Sequence, residues 1–234
     1  MLMGPQNLPD RIREVRERMA RAAVSVGRNA HSVTLLAVGK GQPTQLLASA
    51  ATCGISDFGE SYLQEALGQM AALQERALTW HFIGRIQSNK TRAIAEQFAW
   101  VHTLDRLKIA ERLAAQRPYH APPLNVCLQV SIGAEGSKGG VEPGALPALA
   151  RAVAALPRLR LRGLMCLPPE ESDPQRQRAW FRQLRELKDG LGAQGLELDT
   201  LSMGMSGDFE AAIAEGATLV RLGTVLFGPR AQAE

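Results

Sequence analysis

Short apolar, β-branched runs alternate strictly with longer amphipathic ones along almost the whole chain, and this alternation constrains the fold more than any other feature. SVTLLAVGK, SDFGE, TWHFIGR, WVHTLD, LNVCLQVSI, LRLRGLMCLP, DTLSMGMS and TLVRLGTVLFG read as eight strands. Between them lie TQLLASAATCG, YLQEALGQMAAL, SNKTRAIAEQF, RLKIAERLAAQ, PGALPALARAVAAL, an Arg-rich stretch over 174–192 and GDFEAAIAEGA, all read as helices. One more helix precedes the first strand: Leu8, Ile12, Val15, Met19 and Ala22 or Ala23 recur at helical spacing, and Gly27 offers a stop. Strict β–α alternation calls for a parallel sheet. Eight such units in 234 residues predict a closed (β/α)8 barrel of the TIM type with an extra N-terminal helix, the open doubly wound sheet being the alternative. The Pro-rich loops at 117–123 and 168–174 fit between elements, so one domain over 1–234 is expected.

Composition removes several function classes. At 45% hydrophobic and 21% charged residues, the chain has no apolar run long enough to span a bilayer. Its first residues, MLMGPQNLPDRIREVRER, lack the apolar core of a secretory signal, which makes the cytoplasm the expected location. Cys53, Cys127 and Cys166 are odd in number and far apart, so they read as reduced thiols. Four scattered histidines without ligand spacing give no metal signal. The net charge of +4 does not indicate nucleic acid, because the arginines alternate with acids on helix faces and aromatics are only 5%.

Barrel active sites gather at the C-terminal ends of the strands. Lys40 stands at that end of the first strand, on the same face as Leu36 and Val38 and flanked by Gly39 and Gly41. Only five of the 27 basic residues are lysine, so Lys40 is not one of many surface cations. A strand-end lysine can simply reach water; partly desolvated, it can instead be the free amine that attacks a carbonyl. In LSMGMSGDFEAAIAEGA, Ser202, Gly204 and Ser206 alternate onto one strand face, and Leu201, Met203 and Met205 onto the other. That small polar face is either tight packing or, with the helix start beyond Gly207, an anion site; Asp208 reads first as a helix cap. Arg221 interrupts the apolar run LVRLGTVLFG, and in a closed barrel it must meet a carboxylate or a ligand. Gly223 and Thr224 follow it. His81 shares a face with Ile83 and reads by default as a structural histidine; Glu60 or Ser61 reads as a cap. The loop SIGAEGSKGG over 131–140 is either a lid or a flexible connection.

AVGK, FGESYLQE, WHFIGRIQSNK, RLRGLM and LSMGMSGDFEAAIAEGATLVRLGTVLFG together resemble the pyridoxal phosphate homeostasis proteins, single-domain relatives of the N-terminal barrel of bacterial alanine racemase, over about residues 8–230. The resemblance implies pyridoxal 5′-phosphate (PLP) held as an internal aldimine on Lys40. It implies a phosphate grip by Ser202, Gly204, Met205, Ser206, Gly223 and Thr224, with Arg221 near the pyridine nitrogen and His81 among the cofactor-binding residues. Glu135, Lys138 and Gly140 match the family's polar loop after the fifth strand. The implied role is to bind, buffer and deliver the cofactor in the cytosol to PLP-dependent apo-enzymes, with no reaction of its own. Two positions depart from the pattern: Ser61 stands where the family has asparagine, and Gly39 where it often has serine. An arginine at the ring nitrogen does not protonate it as a carboxylic acid would, so the ring is expected to stabilise carbanions poorly.

The runner-up is a low-activity amino-acid racemase with Lys40 as one of two bases. Racemases of the related fold take the other base, a tyrosine, from a second domain of the partner subunit. The tyrosines here are Tyr62 and Tyr119, and the chain ends at Glu234, soon after the last strand. A non-enzymatic monomer is therefore expected. A sugar-phosphate aldolase or isomerase using Lys40 is the third reading, and Lys90 and Lys138 stand as possible transient acceptors of the aldehyde.

Overall fold

The computed structural model describes residues 7–133 and 139–229. Eight parallel strands close into a barrel in chain order: β1 (Thr34–Val38), β2 (Asp57–Glu60), β3 (Thr79–Phe82), β4 (Trp100–Leu104), β5 (Leu124–Val130), β6 (Leu159–Cys166), β7 (Thr200–Ser202) and β8 (Leu219–Leu222). The barrel shuts where β1 pairs with β8, with Leu36 opposite Arg221. Helices α2 (Thr44–Thr52), α3 (Leu63–Ala72), α4 (Thr91–Gln97), α5 (Leu107–Gln116), α6 (Leu146–Ala154), α7 (Pro174–Gly192) and α8 (Phe209–Ala214) each return the chain to the next strand. The extra N-terminal helix is α1 (Leu8–Val24). Asn7 caps it by accepting from the Asp10 amide at 3.0 Å, and Leu8, Ile12, Val15, Met19 and Ala23 form its buried face. Among the described residues, no helix is long and apolar enough to cross a membrane.

The last two strands stop furthest short of the runs read from the sequence, and both differences shape the site. The run DTLSMGMS forms a strand only over Thr200–Ser202, because Gly204 adopts φ +97°, which an L side chain rarely tolerates. Pairing still continues past the strand: the Met203 amide donates to Leu219 O and the Arg221 amide to Gly204 O. The run TLVRLGTVLFG is a strand only to Leu222; Thr224–Phe227 is a short helix, α9, closed by the Leu226 and Phe227 amides donating to Gly223 O. The polarity pattern of these segments could not reveal where extended backbone gives way to a turn.

Two arginine-centred contacts hold the outer layer. Arg117, in a loop that composition marks only as Pro-rich, is 7% exposed and donates to Pro122 O, Ala95 O and Phe98 O at 2.6–2.8 Å. Glu215, buried after α8, receives Arg178, Arg182 and Arg185 from α7 at 2.8, 3.1 and 3.0 Å.

Candidate functional site

A cavity of about 290 Å³ opens at the C-terminal mouth of the barrel. Its walls come from the ends of six strands: Val38 at the end of β1 and Lys40 after it, Ser61 after β2, Ile83 after β3, Met165 and Leu167 at β6, Met205–Gly207 after β7, and Arg221, Gly223 and Thr224 at β8. Gln42 and Gly228 complete the rim. The cavity thus combines an amine, a guanidinium and glycine-flanked backbone bearing the hydroxyls of Ser206 and Thr224. Five apolar side chains, those of Val38, Ile83, Met165, Leu167 and Met205, line the same space and suit a flat ring.

Arg221 is buried, and among the described residues its hydrogen-bond partners are not carboxylates. Its Nη1 donates to Ser202 O at 2.6 Å and to Ser202 Oγ at 2.9 Å, and its Nη2 donates to Cys166 O at 2.9 Å. Neutral oxygens therefore satisfy the guanidinium without cancelling its charge. Burial lowers its pKa from the usual arginine value, but a guanidinium stays protonated.

The structure sorts the residues expected to hold a cofactor into two groups. Lys40, Met205, Ser206, Arg221, Gly223 and Thr224 line the cavity. Ser202, Gly204 and His81 do not. Ser202 is fully buried beneath it, bonded to Arg221 and His102. Gly204 faces α8, where a Cβ would lie 2.7 Å from Ala212 Cβ. His81 sits inside the barrel, its Nδ1 2.9 Å from His102 Nε2 and its Nε2 3.1 Å from Asp57 Oδ1, with Trp100 stacked on its ring. Asp208 occupies the residue before α8, but its carboxylate makes no cap; it turns back to accept from the Met205 amide at 2.5 Å. Ser206 Oγ accepts from the Val225 amide at 3.3 Å, tying the loop after β7 to α9. Gly140, at φ +119°, is not among the cavity residues, and Glu135 and Lys138 lie outside the described residues.

Two features escaped the sequence reading. His102 is completely buried and joins His81 to Ser202; its only signal was a polar side chain inside the apolar run WVHTLD. Glu60, expected as a cap, is instead fully buried at the end of β2, and neither carboxyl oxygen has a hydrogen-bond partner among the described residues. Burial, and then the nearby Glu65 carboxylate, push its pKa up to about 8 against the opposing charge of Lys40. The thiols of Cys127 and Cys166 are pushed up to about 12 by burial, which makes them inert core groups.

Fold and site together define a barrel of the alanine racemase N-terminal class with Lys40 at its mouth. The chain matches the family described as alanine racemase, N-terminal domain, over residues 10–231. It belongs to the pyridoxal phosphate homeostasis proteins within that class. It is 56% identical to the protein of that name from Pseudomonas aeruginosa over 223 residues, covering 95% of this chain and 96% of the relative. It is 50% identical to the one from Escherichia coli, covering 93% and 94%. Among solved structures, PipY of Synechococcus elongatus with PLP bound superposes with a TM-score of 0.85 at 35% identity, covering 95% of this chain and all of PipY. Alanine racemase from Corynebacterium glutamicum, at 20% identity and a TM-score of 0.65, shares the barrel fold.

Proposed function

We propose that this chain binds pyridoxal 5′-phosphate and serves intracellular homeostasis of that cofactor, buffering it and delivering it to PLP-dependent apo-enzymes. The observation that carries the reading is that Lys40 and Arg221 open onto one small cavity whose polar wall includes Ser61, Gln42 and the glycine-flanked backbone of Met205–Gly207 and Gly223–Thr224. That donor set fits the cofactor group by group. Lys40 supplies the amine that bonds the aldehyde carbon. Backbone amides and the hydroxyls of Ser206 and Thr224 suit a phosphate. Val38, Ile83, Met165 and Leu167 exclude water from the ring faces. Bound PLP supplies an electrophilic aldehyde and a ring that can delocalise adjacent negative charge.

Arg221 argues for a carrier over a catalyst. It has no proton to give a ring nitrogen at neutral pH, and without that proton the ring delocalises charge poorly. A racemase also needs a second base facing the cofactor. Tyr62 and Tyr119 are 60% and 93% exposed, and neither lines the cavity. The free thiols suit the cytoplasm. The reading takes the chain over 1–234 as one cofactor-binding domain acting as a monomer.

The experiment is to incubate the purified chain with PLP, reduce with borohydride and map the pyridoxyl mass. Label on Lys40 supports the reading. Label confined to Lys90 or Lys138 keeps the ligand and moves the site, and no label at all removes the cofactor in favour of a sugar-phosphate carbonyl.

A further inference from the structure

Arg221 is the end of a line of buried polar groups that runs down through the barrel. We propose that Asp57, His81, His102 and Ser202 form a hydrogen-bond string of single polarity that fixes the Arg221 guanidinium at the cavity floor, making these four the positioning residues of that cation. The consequence for the cofactor rests on the PLP reading above; the string itself does not.

The direction of every proton in the string follows from its two ends. A guanidinium can only donate, so Ser202 Oγ accepts from Arg221 Nη1 at 2.9 Å. The one hydroxyl proton of Ser202 is then free to go to His102 Nδ1, 2.7 Å away. His102 must carry its own proton on Nε2, from which it donates to His81 Nδ1 at 2.9 Å. His81 in turn carries its proton on Nε2 and donates to Asp57 Oδ1 at 3.1 Å. Asp57 ends the line as an acceptor, also taking the Ser56 hydroxyl at 2.6 Å.

Among the described residues no other arrangement satisfies all five groups. A charged histidine at either place would make His102 donate from Nδ1 to Ser202 Oγ and leave the Ser202 hydroxyl proton without an acceptor. Burial favours the neutral form of both rings; His102 is further disfavoured as a cation by His81 and Arg221. At Asp57 burial pushes the carboxyl up, but the hydrogen bonds from His81 and Ser56 outweigh it and hold it ionised.

The string links groups on β8, β7, β4, β3 and β2, so it crosses the barrel interior from the cavity to the opposite mouth. There Asp57 is 23% exposed beside Thr34 and Leu35 at the start of β1. Each bond points its negative end toward Arg221 and its positive end toward Asp57. The guanidinium is thereby held by oriented dipoles and a distant carboxylate, which leaves its outer edge for whatever occupies the cavity.

The test uses the full chain labelled with 15N. Ring-nitrogen spectra of His81 and His102 are expected to show a bare Nδ1 and a protonated Nε2, with exposed His31 and His120 as internal references. Arg221 is expected to show separate, slowly exchanging Nη signals. Ser202→Ala breaks the string at the arginine end, and Asp57→Asn loosens its far end, since a carboxamide can donate as well as accept. Each variant should mix the histidine tautomers, and Ser202→Ala should shift the Arg221 Nη1 signal and speed its exchange, while the carbonyls of Ser202 and Cys166 keep the Nη1 and Nη2 signals apart. Each should release bound PLP about fivefold faster, the equivalent of one net hydrogen bond. A lost structural contact at Asp57 would lower stability without moving His102's tautomer or the release rate.

A proton on Nδ1 of either histidine in the parent chain, or a charged ring at neutral pH, overturns the string. Unchanged cofactor release in both variants overturns the positioning role. If the parent chain never takes up PLP, the cofactor reading falls, and the tautomers and Arg221 signals still decide the string in its presence or absence.

Discussion

Gly39 and Glu60 are packed so closely that a Cβ on residue 39 would stand 2.3 Å from Glu60 Oε1 and 2.9 Å from Leu47 Cδ2. The glycine before Lys40 is therefore tied to the buried carboxyl beside it. Gly39→Ala must displace Glu60 or Leu47, and such overpacking costs about 1–3 kcal/mol. Gly39→Ser forces the same shift but brings a hydroxyl to a carboxyl that has no hydrogen-bond partner among the described residues, recovering about 1 kcal/mol. Urea titrations should find the parent chain most stable, Gly39→Ser next and Gly39→Ala least; a serine variant weaker than the alanine one would show that Glu60 does not need the bond.

The buried acid and the buried histidines tilt stability in opposite directions with pH. Glu60 moves from the ordinary 4.5 to about 8 on folding, so between those values the folded chain holds a proton that the unfolded chain has released. Stability falls there as pH rises, by at most ~1.4 kcal/mol per pH unit. His81 and His102 have lowered values in the fold. Below about 6.5 the unfolded chain takes up protons that the folded chain does not, and stability falls as pH drops. Without cofactor, the share due to these groups should peak near pH 6.5. Glu60→Gln should erase the alkaline slope and steepen the acid one; urea midpoints from pH 5 to 9 decide this, and parallel curves for the two chains would refute it.

Arg117 offers a test of the outer layer. Its guanidinium satisfies three carbonyls at once, those of buried Ala95 and Phe98 and of exposed Pro122, and so ties the end of α4 to the loop before β5. Arg117→Met keeps most of the volume and leaves those acceptors bare, a loss of about 2–4 kcal/mol. The readout is the thermal midpoint of the cofactor-free chain, and a fall of less than a degree would mean that water replaces the guanidinium without penalty.

The eight strands and the N-terminal helix were legible because each is written in local periodicity. The long helix α7 follows the Arg-rich run over Pro174–Gly192. Arg221 could be singled out because it breaks an apolar strand, and Lys40 because it follows one in a chain where lysine is rare. Strand ends were less legible: the turn at Gly204 and the helix at Thr224 depend on backbone angles that hydropathy does not encode. The string was not legible at all. Asp57, His81, His102 and Ser202 are neighbours only because the barrel closes, and His102 and Ser202 are 100 residues apart in the chain.

Covalent capture by Lys40 and the grip of the polar wall should be separable by substitution. Lys40→Ala removes the amine, so borohydride should leave no pyridoxyl mass at that position, and the absorbance of the lysine-linked cofactor should vanish. The wall formed by Ser206, Gly207, Gly223 and Thr224 is untouched by that change, so PLP should still bind reversibly and be lost on dialysis. Thr224→Val deletes one hydroxyl from the wall at nearly constant volume. A hydrogen bond to a charged group contributes about 1.5–3 kcal/mol, so its loss should weaken reversible binding by about tenfold or more. Because the amine is still present, labelling at saturating cofactor should remain on Lys40. Equilibrium dialysis against PLP, run on both single variants and the double, separates the two contributions. If Thr224→Val leaves the Lys40→Ala chain's affinity unchanged, the phosphate does not sit at the end of β8 and the orientation proposed for the cofactor is wrong.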